Sequence, residues 1–87
     1  MPYIKQEDRV KFECLLDEIR SRTINASAGE LNYLISSLIW SIFENNKSYS
    51  KANELIGVLE CVKQEFYRRQ LSPYEDQCIE NNGDLKI

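Results

Sequence analysis

The segment "ELNYLISSLIWSIFE", residues 30–44, decides the fold class of this 87-residue chain. Its apolar residues recur at steps of three and four, the spacing that places side chains along one side of an α-helix. No charged residue lies between Glu30 and Glu44, and Tyr33 and Trp40 extend the apolar surface to the other sides. Because a helix that is apolar nearly all round is normally buried on more than one side, we expect a central helix over residues 28–45.

The segments before and after this helix have the same helical spacing, and no segment shows the alternation that is typical of a strand. The first helix is expected over residues 6–23, with acidic side chains near its start and basic ones near its end, as the helix dipole favours. The third is expected over residues 50–71, with Ser50 as its N-cap. Ser27 and Glu30 fit a capping box at the start of the central helix.

A short fourth helix is expected over residues 73–81. The preceding "SPYE", residues 72–75, is typical of a helix start, with serine as the cap and proline in the first turn. Proline also disfavours a helical residue before it, so the third helix should end or kink near Leu71. Gly83 suits the C-terminal end of a helix, and residues 82–87 are expected to form a mobile tail.

Together these signals predict a compact all-α bundle of three main helices and a short fourth, in a single domain over residues 1–87. A chain of this length buries only about 60–65% of the surface that its unfolded form exposes, so its own core is small. Association of copies is a common remedy, and we expect a homo-oligomer. Gly57 costs about 1 kcal/mol in a helix interior, which suggests the close approach of a neighbouring helix.

The charge and cysteine content exclude several classes of partner and site. The net charge is −3 and the basic residues form no stripe, so duplex nucleic acid is not expected as a partner. No apolar run is long enough to span a bilayer, and the first residues lack the apolar core of a signal peptide. Cys14, Cys61 and Cys78 are odd in number and far apart, so we interpret them as reduced core residues of a cytoplasmic protein.

Residues suited to catalysis are few. The chain contains no histidine, so a Cys-His or Ser-His pair is excluded within one chain. We predict no catalytic residues, no metal site and no cofactor. One enzymatic alternative stays open, a magnesium-dependent nucleotide pyrophosphohydrolase that would use Glu60 and Glu65. Those carboxylates are five residues apart, about 140° around a helix, so they point in different directions.

The main candidate for a binding site is the segment that contains Tyr67, Arg68, Arg69 and Tyr74. Arginine can bind a phosphate through two parallel hydrogen bonds, and its planar group stacks on aromatic rings. The alternative is an ordinary solvated helix face, because Glu65 and Arg69 are four residues apart in the order that stabilises a helix. A third interpretation has these residues contact another subunit.

Four motifs resemble those of a family of short proteins from bacteria, archaea and phages that has no assigned function. They are "MPYIKQEDR" at 1–9, "GELNYLI" at 29–35, "GVLECVKQEFYRR" at 57–69 and "PYEDQCIENNGD" at 73–84. The resemblance covers nearly the whole chain and is weakest over residues 36–51. It implies a polar site between helices, and its characteristic positions are Pro2, Tyr3, Asn32, Tyr33, Glu60, Glu65, Tyr67, Arg68, Arg69, Tyr74, Glu75 and Asp76.

We therefore expect a small non-enzymatic protein that binds a small anionic ligand or a partner protein. A second hypothesis is a phage-type protein that sequesters a small anionic nucleotide signal, and the third is the hydrolase described above. The candidate ligand-binding residues are Asn32, Tyr33, Glu60, Glu65, Tyr67, Arg68, Arg69 and Tyr74.

Overall fold

The computed structural model describes residues 3–86, and every regular element within that range is helical. The all-α class that the sequence predicts is therefore confirmed. Pro2 of the first motif and Ile87 of the expected tail lie outside the described residues. Within residues 3–86, no helix is long and apolar enough to cross a membrane.

Two units follow one another along the chain, Met1–Trp40 and Ser41–Ile87. The first contains a short 3-10 helix, Gln6–Arg9, which leads directly into α1, Val10–Thr23. The next helix, α2, covers Ala28–Asn45. It begins in the first unit and ends in the second.

The second unit continues with α3, Tyr49–Phe66, a π-helical turn, Tyr67–Leu71, and α4, Ser72–Asn82. These three elements form one uninterrupted helical run. The run ends at Gly83, whose φ of 87° favours glycine and whose amide donates to the Ile79 carbonyl at 2.7 Å. The predicted glycine at this helix end is confirmed.

Side-chain caps fix the starts of α2 and α3. The Ser27 amide donates to Glu30 Oε1 at 3.1 Å and the Glu30 amide donates to Ser27 Oγ at 3.2 Å, which is the predicted capping box. At α3 the prediction of Ser50 as the cap is wrong, because Ser48 Oγ accepts from the Lys51 amide at 3.0 Å. Ser48 has the extended backbone that a cap residue needs, whereas Ser50 lies inside the helix.

The α-helix changes to a π turn over Tyr67–Leu71, where the sequence predicts an end or a kink, but the predicted cap at Ser72 is wrong. The π turn accommodates the proline. Proline has no N–H, and in an α-helix its ring clashes with the carbonyl four residues back, here that of Arg69. In the structure Ser72 is itself helical, and its amide donates to the carbonyl of Tyr67, five residues back. Ser72 therefore continues the helix instead of capping a new one.

Very little apolar surface is buried within the chain. Leu55, 9% exposed, is the single buried hydrophobic residue among residues 3–86. Tyr33 and Trp40 are 76% and 68% exposed, so the expectation that α2 is covered on several sides is wrong for the single chain. The reason is that, within each unit, the helices contact mainly the elements next to them in sequence.

The cysteines and Gly57 occupy more open positions than the sequence suggests. Cys14 and Cys61 are exposed and Cys78 is half-buried, so the interpretation of Cys14 and Cys61 as core residues is wrong for the single chain. Apart from its chain neighbours and the backbone of its own helix, a methyl group at Gly57 would meet no atom of the described residues within 4 Å. The close approach expected at Gly57 is therefore not made by residues 3–86.

Candidate functional site

Arg68 and Arg69 bind the same carboxylate. Glu65 Oε1 lies 3.0 Å from Arg68 Nη2 and 3.5 Å from Arg69 Nη1. Glu65 comes from the last turn of α3 and the arginines come from the π turn, three and four residues further on. Residues at these spacings are neighbours on a helix surface. Two guanidinium groups therefore face one carboxylate, and Arg69 makes a further interaction besides this one.

The two tyrosines of the predicted patch belong to the same helical run. Tyr67 is the first residue of the π turn, and Tyr74 lies in the first turn of α4, just after Pro73. Both side chains are more than half exposed. Their rings are therefore accessible to a ligand or to a partner protein.

Glu60 belongs to a separate group on α3. Its carboxylate lies 3.0 Å from Lys63 Nζ and accepts a hydrogen bond from Gln64 Nε2 at 3.1 Å. The hydrogen bond from Lys63, followed by the one from Gln64, lowers the pKa of Glu60 below its ordinary value. Glu65 has different partners, so the contacts of Glu60 and Glu65 do not bring them into one site. The described part of the chain holds no group of three or more Cys, Asp or Glu residues placed to bind a metal ion.

A cleft of about 560 Å³ opens in the first unit, where the loop of residues 24–27 joins α1 to α2. Sequence reasoning missed this cleft, although the Ser27–Glu30 capping box marks the turn that forms it. Its lining residues are Glu18, Ile19, Arg22, Thr23, Ala26, Ser27, Gly29, Glu30, Tyr33 and Leu34.

Polar groups around the cleft are largely paired with one another. Arg22 Nε donates to Glu18 Oε1 at 2.6 Å. The hydrogen bond from the Ser27 amide, followed by the one with the Ser27 hydroxyl, lowers the pKa of Glu30 below its ordinary value. Because these polar groups already have partners, the cleft suits an apolar occupant better than a charged one.

The candidate residues on α2 are separated by the structure. Tyr33 lines the cleft, whereas Asn32 does not. Asn32 Oδ1 instead accepts a hydrogen bond from Ser36 Oγ at 2.9 Å, one turn further along α2. The candidate residues therefore fall into separate local groups: Tyr33 at the cleft, Asn32 with Ser36, Glu60 with its Lys and Gln partners, and Glu65 with the two arginines.

Comparison with known proteins assigns the chain to a family. The model of the family described as "Domain of unknown function (DUF6899)" matches residues 1–85, nearly the whole chain. This match agrees with the resemblance of the four sequence motifs to a family of short proteins. No curated protein and no solved structure matches the chain. The chain therefore belongs to the DUF6899 family.

Proposed function

We propose that the protein is a small non-enzymatic interaction protein that works as a homo-oligomer. The observation that carries this proposal is the exposure of its apolar side chains. Among residues 3–86, Leu55 alone of the hydrophobic residues is buried. Extended apolar surface that a single chain leaves in water is the kind of surface through which proteins associate.

A comparison of the favourable and unfavourable terms in the free energy of folding supports the association of copies. Fixing the backbone of one residue costs roughly 1–2 kcal/mol of conformational entropy. One fully buried leucine side chain returns only about 1.5–3 kcal/mol. Exposed ion pairs, such as Arg20–Asp17 at 3.5 Å, belong to a class that contributes about 0.2–1 kcal/mol each. Stable helices therefore need apolar contacts beyond those that each unit makes by itself.

In this proposal, the compact bundle that the sequence predicts is completed by helices of other copies. The short α4 then extends the helical run of α3 within the assembly. The proposed location is the cytoplasm, because three widely spaced cysteines suit a reducing compartment.

Thermal unfolding at two protein concentrations, about a hundredfold apart, tests the proposal. When unfolding is coupled to dissociation, Tm rises with protein concentration. A reducing agent keeps the exposed Cys14 and Cys61 from linking copies covalently. A Tm that is the same at both concentrations would contradict the proposal.

A second candidate function is the binding of a small anionic ligand, such as a nucleotide, beside the π turn. It is favoured by the pairing of Arg68 and Arg69 with a single carboxylate, since arginines bind phosphate groups through parallel hydrogen bonds. π turns inside α-helices are also frequent at functional sites. Exposed Tyr67 would supply an aromatic surface next to the arginines.

A panel of cyclic nucleotides in a thermal-shift measurement tests this second function. A ligand present at 100 times its Kd adds about 2.7 kcal/mol to the free energy of unfolding, which gives a measurable rise in Tm. No shift with any member of the panel would remove the nucleotide version of the hypothesis.

A further inference from the structure

The α2 helix has no charged side chain between Glu30 and Glu44. In contrast, α1 and α3 carry ion pairs, for example Arg22–Glu18 and Lys63–Glu60. A charged side chain loses its hydration when a neighbouring helix covers it, and this loss opposes burial. The middle of α2 can therefore be covered by another helix without that penalty.

Polar side chains of α2 already have partners within the chain. The hydroxyl of Ser36 donates to Asn32 Oδ1 at 2.9 Å. Ser37 and Ser41 also make interactions of their own. Buried polar groups need hydrogen-bond partners, and these side chains have partners before any neighbour arrives. The three serines of α2 therefore keep partners when a neighbouring helix covers them.

One line of apolar side chains follows α2 along its length. Leu31, Ile35, Leu38 and Ile42 succeed each other at steps of four, three and four residues, the spacing of the contact positions in paired helices. We call these four residues the α2 seam. All four are exposed in the chain. The three-residue step runs from Ile35 to Leu38, so isoleucine takes the first and leucine the second contact position, the choice that favours parallel pairs of two helices.

We propose that the α2 seam packs against the α2 seam of a second copy of this chain. The inference rests on the proposed homo-oligomer and names the surface that forms it. A second copy fits the seam because the contact of a symmetric pair uses the same patch on both subunits. An uncharged seam on both sides meets no repulsion, and it presents no charge that would select a partner of opposite sign.

Two variants on opposite sides of α2 provide a matched test. Leu38 and Trp40 are 60% and 68% exposed, and they lie two residues apart, about 200° around the helix. Sedimentation equilibrium should show association of Leu38→Gln weakened by about tenfold or more, because a polar side chain replaces an apolar contact. Trp40→Gln should keep the association of the wild type. The conservative Leu38→Met should keep it as well.

Circular dichroism establishes whether each variant remains helical. If Leu38→Gln is unfolded, disulfide cross-linking of engineered cysteines replaces it as the test. The three native cysteines are first changed to serine. In a parallel pair of seams the two copies of residue 31 lie side by side, so Leu31→Cys, on the seam, should then form a disulfide-linked dimer faster than Tyr33→Cys, which lies off the seam. Equal rates of cross-linking would overturn the proposal.

The outcomes separate this inference from the proposal on which it rests. If Trp40→Gln alone dissociates the oligomer, or if both variants do so equally, the seam is wrong while the homo-oligomer stands. A wild-type protein that is monomeric throughout the concentration range overturns both.

Discussion

The Glu65 carboxylate lies 3.0 Å from the guanidinium of Arg68 and also contacts that of Arg69 at 3.5 Å, so one acid serves two arginines at the start of the π turn. The acid is the better shielded partner, since its side chain is 30% exposed and that of Arg68 is 73% exposed. The guanidinium of Arg68 therefore lies on the outer, solvent-exposed side of the ion pair.

The first prediction concerns this positive charge. The double variant Arg68→Ala, Arg69→Ala should lower the affinity for a phosphate-bearing ligand by about tenfold or more, because charge-assisted hydrogen bonds are lost. Calorimetric titration with the best nucleotide of the panel measures the change. The double variant Arg20→Ala, Arg22→Ala removes the same charge from α1 and is the control. Equal losses in both double variants would show only a general effect of net charge.

The second prediction concerns the start of α3. Ser48→Ala should lower the free energy of unfolding by about 1 kcal/mol, because the Lys51 amide loses its cap. Ser50→Ala, two residues further on and inside the helix, should change it far less. Urea denaturation of both variants gives the comparison. A larger loss for Ser50→Ala would mean that Ser50 is the cap and that α3 starts later than Tyr49.

The third prediction concerns Gly57. Gly57→Ala should raise the free energy of unfolding by about 1 kcal/mol, because alanine is the better helix former and the methyl group has open space in the chain. Urea denaturation at a fixed protein concentration measures it. If Gly57→Ala is instead less stable than the wild type, a helix of another copy approaches α3 at this glycine.

The fourth prediction concerns acid pH. The pKa values of Glu30 and Glu60 in the folded protein lie below the ordinary value of 4.5. A carboxyl group with a lowered folded pKa contributes stability that is complete above its unfolded pKa and is lost as the pH falls through the folded one. Stability should therefore decline as the pH drops below about 4.5.

Glutamine variants test whether Glu30 and Glu60 cause the loss of stability at acid pH. Changing both Glu30 and Glu60 to glutamine should flatten the decline of Tm below that pH, since the titrating groups are gone. Glu7→Gln removes one charge outside these two groups and is the control. If the double variant declines as steeply as the wild type and the control, other carboxyl groups cause the acid sensitivity.

Local sequence signals predict parts of this fold well because their causes are local. The spacing of apolar residues gives the helical class, and the capping box at Ser27 and Glu30 and the glycine at the end of α4 are both present. The sequence places the cap of α3 two residues late, since Ser48 and Ser50 are equally good caps and the choice depends on the backbone of the loop before them.

Other features escape local reasoning. A proline normally ends a helix, and nothing in "YRRQLSP", residues 67–73, shows that a π turn will carry the helix through Pro73. The cleft between α1 and α2 depends on how the loop of residues 24–27 sets the two helices. The helical spacing of three and four residues does bring Glu65 within reach of both Arg68 and Arg69. Sequence alone, however, does not distinguish a binding site from a solvated helix face.

Native mass spectrometry of the freshly purified protein, compared with its denatured mass, tests whether the exposed apolar surface joins copies of the chain. We expect a multimer with an integral number of chains, formed under reducing conditions and therefore free of disulfides. Extra mass on that multimer would reveal a retained ligand and would support the anion site beside the π turn. A monomer that persists at high protein concentration would contradict the homo-oligomer, and with it the pairing of the α2 seam.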